Sequence, residues 1–279
     1  MKVGVIGLGL IGGSIAKDIK VQINVEVIGI DSNSEHCAKA LNLGLVDRID
    51  TFENVAQSAD VIILATPVNV IERALPEVLS KIAKETVIID VGSTKSGICN
   101  AVSNHPNRGN FVAAHPLAGT EYSGPEAALK GLFQDAKNII CEREKSSENS
   151  LKVALQVFGS LGMNTVFMSA EEHDRHLAYV SHLSHVTSFS LGLTVLEIEK
   201  DEKQIFNLAS TGFRSTSRLA KSNPQTWAAI FGKNRKYINE ALDSYILTLQ
   251  KFRNALEQND DATMKKLMTD ANDIKRILK

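Results

Sequence analysis

Glycines near the amino terminus have the spacing of a phosphate-binding turn. Between an apolar run at residues 3–6 and an amphipathic stretch, the chain reads GLGLIG, which fits the pattern GxGxxG. At a strand-to-helix turn, the first glycine permits the bend, the second lets a pyrophosphate approach, and the third lets the helix pack on the strand. The motif also occurs in purely structural turns, but Asp31 lies about twenty residues downstream, at the end of the next apolar run. The sequence therefore predicts a dinucleotide site formed by Gly7, Leu8, Gly9, Leu10, Ile11, Gly12 and Asp31.

Asp31 also bears on which dinucleotide binds. A carboxylate accepts hydrogen bonds from ribose hydroxyls but repels a 2′-phosphate, and the following loop, residues 32–34, contains no arginine. Thr66 and Pro67 end a later apolar run, where the proline stops strand pairing and the chain should pass the cofactor. These features favour NAD over NADP and add Thr66 and Pro67 to the predicted cofactor site.

Polar side chains follow two further apolar runs. Ser93 comes after residues 86–91, and His115 ends the run 111–115 before a proline. Open α/β sheets bind ligands at the carboxyl ends of their strands, so both residues are candidate catalytic groups. Ser93 could instead cap the helix that follows, and His115 could be a hydrogen-bonded interior histidine.

A helix predicted to begin near residue 171 carries polar residues in a largely apolar stretch. At about 100° per residue, Asp174, Ser181 and His185 fall on one face of a regular helix. Polar groups on such a face need partners. His182 and His185 also suggest a metal, but no third ligand lies at a convincing spacing, so no metal site is predicted.

Two arginines follow in the next helical region. Arg214 and Arg218 are four residues apart and would share a helical face. Guanidinium groups placed in this way form a site for carboxylates. A solvated basic turn has the same pattern, so the spacing alone leaves both interpretations open.

The sequence has two kinds of secondary-structure pattern, and the elements that they predict must position these residues. Apolar, β-branched runs alternate with amphipathic stretches at residues 2–7, 25–31, 61–66, 86–91, 111–115, 138–141 and 164–168. Continuous apolar strands alternating with helices indicate a parallel sheet covered on both faces. After residue 170 only helical periodicity remains. The predicted fold class is α/β, with a Rossmann-type dinucleotide-binding domain at residues 1–169 followed by an all-α domain at residues 170–279.

The longest predicted helix has an unusually wide apolar stripe. From residue 234 to residue 257, apolar side chains recur at steps of three and four. Such a stripe must be buried against something. A second copy of the chain is a candidate partner, and we predict a homodimer formed through the C-terminal helices.

Composition excludes several classes of protein. The 31 basic and 32 acidic side chains leave no surplus of positive charge to hold a phosphate backbone, so no nucleic acid partner is expected. No apolar segment reaches the roughly 20 residues that a membrane-spanning helix needs. Cys37, Cys99 and Cys141 are scattered without the spacing of a disulfide framework or a thiolate metal site. The expected ligand is a small-molecule substrate and the expected location is the cytoplasm.

Six segments of the chain occur in a characteristic order: GLGLIGGS, DVGSTK, AAHPLAGTEYSG, EEHDRHLAYVSHLSH, GFRSTSR and NPQTW. Through these segments the chain resembles the prephenate and arogenate dehydrogenases of tyrosine biosynthesis over essentially its whole length. The resemblance implies a nucleotide-binding domain joined to an all-α dimerisation domain, with the active site in the cleft between them. It also implies NAD-dependent oxidative decarboxylation of prephenate to 4-hydroxyphenylpyruvate, with arogenate as an alternative substrate.

The resemblance assigns roles to residues of the nucleotide-binding half. His115, in the HPxAG segment, would accept the proton of the ring hydroxyl. Ser93 would contact that hydroxyl and the nicotinamide region, and would help to orient His115. Glu121 would line the substrate pocket as a gate or polar support.

It likewise assigns roles in the helical half. Arg218, the last residue of the GFRxxxR pattern, would bind the ring carboxylate, and Asp174 would orient it. His185 would lie near the side-chain carboxylate, with Ser181 in the same pocket. Relatives often have aspartate where this chain has Ser215, to which we assign no role, and proline where SHLSH has its second serine.

Two other functions fit parts of the sequence. Another two-domain NAD-linked dehydrogenase, acting on hydroxy acids or an imine, would usually rely on a lysine on the first long helix of the second domain, where this chain has histidine and aspartate. A non-catalytic NAD-sensing module would keep the glycine turn but would need neither His115 nor Arg218. The presence of both residues favours the dehydrogenase.

Overall fold

The computed structural model describes residues 1–202 and 204–277 of the chain. These residues form two compact units, Met1–Asn234 and Arg235–Lys279. The first unit contains the sheet and the helices that follow it as far as residue 234. The domain boundary predicted after residue 169 marks the change from strands to helices in the sequence and stays a prediction.

The first unit is built on one eight-stranded sheet, in the order β3-β2-β1-β4-β5-β6-β7-β8 among the described residues. Its strands are β1 Lys2–Ile6, β2 Glu26–Ile30, β3 Arg48–Ile49, β4 Val61–Leu64, β5 Val87–Asp90, β6 Phe111–Pro116, β7 Lys137–Cys141 and β8 Asn164–Met168. The seven strands predicted from apolar runs are present, with ends that differ by at most two residues. The two-residue strand β3 was not predicted, because it is too short to give a periodic signal.

The predicted parallel sheet is confirmed at six of its seven strand pairings, and one pairing is antiparallel. β7 runs antiparallel to β6, with His115 opposite Ile139. A parallel pairing needs a crossover of a dozen or more residues, usually containing a helix. The connection from β6 to β7 has only the 3₁₀ turn Pro125–Ala127 and returns the chain in the opposite direction.

Each face of the sheet carries its own apolar core. Val61 and Ile63 of β4 point into one buried cluster, whereas Ile62 and Leu64 point into the other. Because successive side chains of a strand point to opposite faces, a strand buried on both faces must be apolar throughout. This explains the continuous VIIL of β4 and the similar runs in its neighbours.

Helices cover both faces of this sheet and then continue without strands. In the first unit they are α1 Leu10–Gln22, α2 Ser34–Asn42, α3 Phe52–Ser58, α4 Val68–Lys81, α5 Ser96–Ala101, α6 Glu148–Ser160, α7 Ala170–Leu177, α8 Leu183–Glu199, α9 Thr211–Ser217 and α10 Pro224–Lys233. α7 starts with a capping box in which Ser169 and Glu172 satisfy each other's backbone N–H groups. A π-helical turn, Ala178–His182, joins α7 to α8.

The described residues of the second unit form the α-helices α11 Arg235–Glu257 and α12 Asp261–Ala271, followed by a 3₁₀ helix at Asn272–Arg276. The helix predicted at residues 234–257 is therefore confirmed as α11. Several of its apolar side chains are exposed, namely Ile246, Leu247, Leu249 and Leu256. Across the described part of the chain, none of the helices combines the length and apolar character needed to span a bilayer.

Candidate active site

The glycine turn connects β1 to α1 at the point where the strand order reverses. β1 pairs with β2 on one side and with β4 on the other, so later strands extend the sheet in opposite directions from β1. Open α/β sheets form their ligand crevice at such a switch point, outside the carboxyl ends of the strands. The predicted dinucleotide site therefore lies where the topology places a binding crevice.

The glycines of this turn meet different needs. Gly7 has a φ of 97°, and a Cβ at this position would lie 2.7 Å from the carbonyl carbon of Ala65. At Gly12 a Cβ would lie 1.9 Å from the carbonyl oxygen of Gly7, so the helix could not pack there. A Cβ at Gly9 would meet no atom within 4 Å. The turn is thus closed by protein at Gly7 and Gly12 and open at Gly9, as a bound pyrophosphate requires.

The amino end of α1 and Asp31 complete a site that fits a dinucleotide. No side chain caps α1 at Gly9, which leaves backbone N–H groups for an anion. Asp31 follows β2 and accepts hydrogen bonds from the backbone of Leu8 at 2.8 Å and of Asn33 at 2.9 Å. Its carboxylate is thereby held beside the glycine turn, where it can also accept from a ribose. The backbone of Thr66 approaches Gly7, and Pro67 directly precedes α4.

His115 lies near the end of β6 and is almost wholly buried, with 9% of its surface exposed. Its Nδ1 is 2.8 Å from Nε2 of His173 on α7. Its Nε2 makes no hydrogen bond with the residues that the structure describes. This nitrogen is also absent from the fully buried atoms that lack a partner, so it is accessible. Burial, followed by the positive charges that His173 and Lys95 can carry, holds the pKa of His115 well below its usual range. At neutral pH the ring is a neutral base with one nitrogen free.

Asp174 anchors the other end of this histidine pair. Its Oδ1 accepts from Nδ1 of His173 at 2.8 Å and from the backbone of Lys95 at 2.8 Å, and its Oδ2 accepts from the backbone of Ser96 at 2.8 Å. Burial alone would raise the pKa of Asp174, but the hydrogen bonds from His173 and Ser96 outweigh it and lower the pKa. The residue is therefore a buried carboxylate that joins α7 to the start of α5.

These contacts correct two expectations. Asp174 does not orient Arg218, because its carboxylate is buried and bound to His173, Lys95 and Ser96. Ser93 does not cap the following helix, since α5 begins at Ser96 and the carboxylate of Asp174 caps it from outside. Ser93 is half-buried in the turn between β5 and α5.

A buried ion pair stands behind the histidine. Lys95 and Asp90 are both fully buried and paired with each other, and Nζ of Lys95 also donates to the carbonyl of Ala114 at 2.7 Å. Asp90 accepts from the backbone of Gly92 at 3.1 Å and of Ala114 at 3.2 Å. Burial raises the pKa of Asp90, and Lys95 opposes that rise. Because Ala114 precedes His115, the pair holds the strand that carries His115.

The π-helical turn changes the predicted alignment of the helical residues. A regular helix would place Asp174, Ser181 and His185 on one face, but the wider turn Ala178–His182 lies between the first and the last of them. Asp174 is buried against α5, whereas Ser181 and His185 are half-buried. The carbonyl of Ser181 accepts from Nδ1 of His185 at 3.0 Å. The prediction of a single straight face was wrong because it assumed an uninterrupted helix.

An aromatic side chain from α10 covers the histidines of this segment. The ring of Trp227 stacks on His185, with centroids 3.3 Å apart and planes at 20°. It also meets His182 edge-on, with centroids 6.0 Å apart. Asn234 donates to Nδ1 of His182 at 3.0 Å and to the carbonyl of Asp174 at 2.7 Å. The NPQTW segment therefore packs against the helix that holds the candidate ligands.

Arg218 and Glu121 form the remaining part of the candidate site. Nη1 of Arg218 lies 3.4 Å from Oε2 of Glu121, and the arginine side chain is 52% exposed. Glu121 is six residues beyond His115, in the connection from β6 to β7. The structure thus links the predicted carboxylate-binding arginine to the loop that follows the predicted base.

Lys95, His173 and Trp227 received no role from the sequence. A lysine five residues after a strand-ending aspartate, in DVGSTK, was the available signal for the buried pair. Asp174 was singled out as a candidate site residue, but the adjacent His173 was not. No local signal indicates that the ring of Trp227 would reach His185.

Acidification should destabilise the protein through His182. Burial is the main cause that lowers the pKa of His182 to about 4 from an ordinary value of 6.5. Below pH 6.5 the unfolded chain takes up a proton that the folded protein excludes, so the free energy of unfolding falls until the pH reaches about 4. For this window the loss is at most about 3 kcal/mol.

Urea unfolding at several pH values between 7 and 4 measures this loss. His182→Asn keeps an acceptor for Asn234 but no titrating ring, so its stability should fall less between pH 6.5 and 4 than that of the natural chain. The exposed His176→Asn serves as the control and should retain the natural slope. Equal slopes for His182→Asn and the natural chain would contradict the assignment.

Two family descriptions match the chain over almost its whole length. Residues 15–167 match the family described as "Prephenate dehydrogenase, nucleotide-binding domain". Residues 169–270 match the family described as "Prephenate dehydrogenase, dimerization domain".

Individual relatives agree with these matches. The prephenate dehydrogenase of Bacillus subtilis (strain 168) is 35% identical over 96% of this chain and 73% of its own length. The cyclohexadienyl dehydrogenase of Zymomonas mobilis is 31% identical over 92% of this chain and 89% of its own length. Among solved structures, the prephenate dehydrogenase of A. aeolicus in complex with hydroxyphenyl propionate and NAD+ has a TM-score of 0.87 at 28% identity, covering 99% of this chain and 97% of that one.

Proposed function

Because this chain belongs to the prephenate dehydrogenase family, we propose that it converts prephenate to 4-hydroxyphenylpyruvate by NAD-dependent oxidative decarboxylation. One observation carries the assignment of the base. His115 is buried at the carboxyl end of β6 with Nδ1 engaged and Nε2 free. Because β1 and β6 run in the same direction, this nitrogen lies at the same edge of the sheet as the glycine turn.

The chemistry needs a proton acceptor and a carboxylate anchor. Nε2 of His115 takes the proton of the ring hydroxyl as the carbon that bears this hydroxyl loses a hydride. The bond between the ring and its carboxylate then breaks and carbon dioxide leaves. The electron pair of that bond completes the aromatic ring. The resulting phenolate oxygen takes the proton back from His115, so one prephenate and one NAD+ give one 4-hydroxyphenylpyruvate, one carbon dioxide and one NADH.

The residues of the glycine turn fit the cofactor that this reaction needs. Gly7, Gly9 and Gly12 would let the pyrophosphate approach the uncapped start of α1, and Asp31 would accept from the ribose. Thr66 and Pro67 would border the same crevice. When bound, NAD would supply the acceptor for the hydride that leaves the ring carbon.

Other residues position the substrate in this proposal. Arg218 binds the ring carboxylate, and Glu121 holds the guanidinium until the substrate displaces it. Ser93, in the turn after β5, contacts the ring hydroxyl. His185, held by Ser181 and stacked on an indole ring, contacts the side-chain carboxylate. Asp174 acts through the histidine pair rather than through Arg218.

Arg218→Ala should raise the KM for prephenate about 10–100-fold, as expected for the loss of a hydrogen-bonded charge pair with the ring carboxylate. The kcat should change much less, because the base and the cofactor site remain. Steady-state kinetics with varied prephenate measures both constants. Lys221→Ala removes an exposed cation three residues away and should behave like the natural chain. An unchanged KM in Arg218→Ala would contradict the assignment.

A direct assay tests the proposed reaction. The purified protein is mixed with NAD and either prephenate or arogenate, and NADH formation is followed by its absorbance. NADH formation with prephenate and a higher kcat/KM than with arogenate support the proposal. Turnover of arogenate alone would change the substrate, and turnover of neither would overturn the function.

We also propose that the chain forms a homodimer through its C-terminal helices and works in the cytoplasm. Exposed apolar side chains on α11 and the family description of residues 169–270 as a dimerization domain support the dimer. Scattered, unpaired cysteines support a reducing compartment. The mass of the native protein in solution tests the oligomeric state.

A further inference from the structure

A second histidine separates the proposed base from the buried carboxylate. We propose that His173 is a positioning residue that fixes the tautomer of His115 and spreads the positive charge formed there toward Asp174. The proposal rests on the function proposed above, in which His115 is the base. It adds a residue to which neither the sequence nor the family resemblance gave a role.

The tautomers follow from the end of the hydrogen-bonded chain. An ionised Asp174 can only accept, so Nδ1 of His173 carries a proton and donates to it. In a neutral ring the other nitrogen then has only a lone pair, so Nε2 of His173 accepts from Nδ1 of His115. His115 is therefore protonated on Nδ1, and its lone pair is on Nε2. This is the nitrogen that has no protein partner and that the reaction needs.

The same hydrogen bonds stabilise the protonated form of the buried His115. When His115 takes the hydroxyl proton at Nε2, a positive charge forms where water is largely excluded. Its Nδ1–H then donates more strongly to His173, whose own Nδ1–H is held by the carboxylate of Asp174. The backbone N–H groups of Lys95 and Ser96 keep that carboxylate in place. The arrangement resembles a catalytic triad with a histidine inserted between base and carboxylate.

Other ionisable groups face the hydrogen-bonded series His115–His173–Asp174. Lys95, when charged, and His182, if protonated, both disfavour a positive charge on His115, whereas Asp90 favours one on His173. Lys95 is paired with Asp90, and the ring of His182 accepts a hydrogen bond from Asn234. Asp174 is therefore the carboxylate directly hydrogen-bonded to the histidine pair.

Two substitutions separate the parts of the proposal. His173→Gln retains an amide oxygen that can accept from His115 but cannot share its charge, and should lower kcat about tenfold. His173→Leu removes both properties and should lower kcat about 100-fold. The KM for NAD should change little in either variant. His176→Gln, on the exposed side of the same helix, is the matched control and should leave kcat unchanged.

The pH dependence distinguishes positioning from a merely structural role. Without an acceptor for its Nδ1–H, His115 becomes harder to protonate, so the acidic limb of kcat/KM should move to lower pH in His173→Leu. A structural defect would lower the whole profile without moving that limb. A natural kcat and limb in a folded His173→Leu variant would overturn the proposal.

Nitrogen NMR of the natural protein gives a test that needs no variant. With ¹⁵N-labelled histidine, Nδ1 of His115 should show the shift of a protonated nitrogen and Nε2 that of an unprotonated one. The reverse pattern would overturn the proposal even if the variants do not fold. Absence of turnover by the natural chain would instead count against the proposed function, so the two failures are distinguishable.

Discussion

Replacing His115 by asparagine is expected to lower kcat about 1,000-fold, within the range that a positioned general base contributes. The amide of asparagine can still donate to Nε2 of His173, so the hydrogen-bonded chain behind the base remains. No nitrogen then occupies the position of Nε2, and the hydroxyl proton has no acceptor. Binding of NAD should be unchanged, because the glycine turn and Asp31 are not altered. Steady-state kinetics and a separate NAD-binding titration measure the two effects.

The pH profile gives the same prediction a second measurement. Burial holds the pKa of His115 well below 6.5, so the base is neutral at pH 7 and is lost only as the pH falls through that lowered value. The natural chain should therefore keep its kcat/KM below pH 6.5, and the acidic limb should disappear in His115→Asn. His105→Asn changes a histidine that precedes the opposite end of β6, where it contacts Ser80 and Asn107, and should retain the limb. Normal turnover by His115→Asn would show that another group is the base.

The sequence was most informative where a few adjacent residues determine the structure. The glycine turn was predictable because Gly7 needs a positive φ and Gly12 touches the backbone of the turn, which are local requirements. The strands were predictable because burial on both faces requires continuous apolar runs. Asp31 was recognisable because its distance from the glycines follows from the length of a βαβ unit.

Contacts between distant residues were not predictable in this way. Asp174 binds the backbone of Lys95 and Ser96, which lie 79 and 78 residues away, and His115 meets His173 across 58 residues. Periodicity assigns a residue to a face but does not identify its partner. The spacing indicated only that Asp174 needs polar partners, and the partner that the resemblance implied for it, Arg218, was wrong because its carboxylate binds His173, Lys95 and Ser96.

The π-helical turn shows a second limit of prediction from residue spacing. An extra residue in one turn changes which side chains share a face, but leaves the apolar pattern nearly intact over a short segment. Asp174 lies before the turn and His185 after it, so the angle between them could not be derived from their spacing. Composition and motif order still placed both residues in the helical half.

Replacing Lys95 by methionine is expected to destabilise the protein by about 3–5 kcal/mol at pH 7, as found when one partner of a buried ion pair is removed. Asp90 would remain fully buried without its cation. Methionine has a similar length, so the loss arises from the uncompensated charge more than from a cavity. Urea unfolding measures the loss. Lys84→Met, at an exposed position, is the control and should change stability by less than about 0.5 kcal/mol.

The pH dependence and a second substitution identify the charge of Asp90 as the cause. Burial without Lys95 raises the pKa of Asp90 further above 3.8, so the folded variant binds a proton that the unfolded chain has released. Its deficit should therefore shrink as the pH falls from 7 toward 4. Adding Asp90→Asn removes the charge and should recover most of the stability at pH 7. Because the pair also binds the backbone of Ala114, next to His115, the double variant should regain stability without regaining full kcat. A deficit that is independent of pH and persists in the double variant would show that packing, not charge, makes Lys95 necessary.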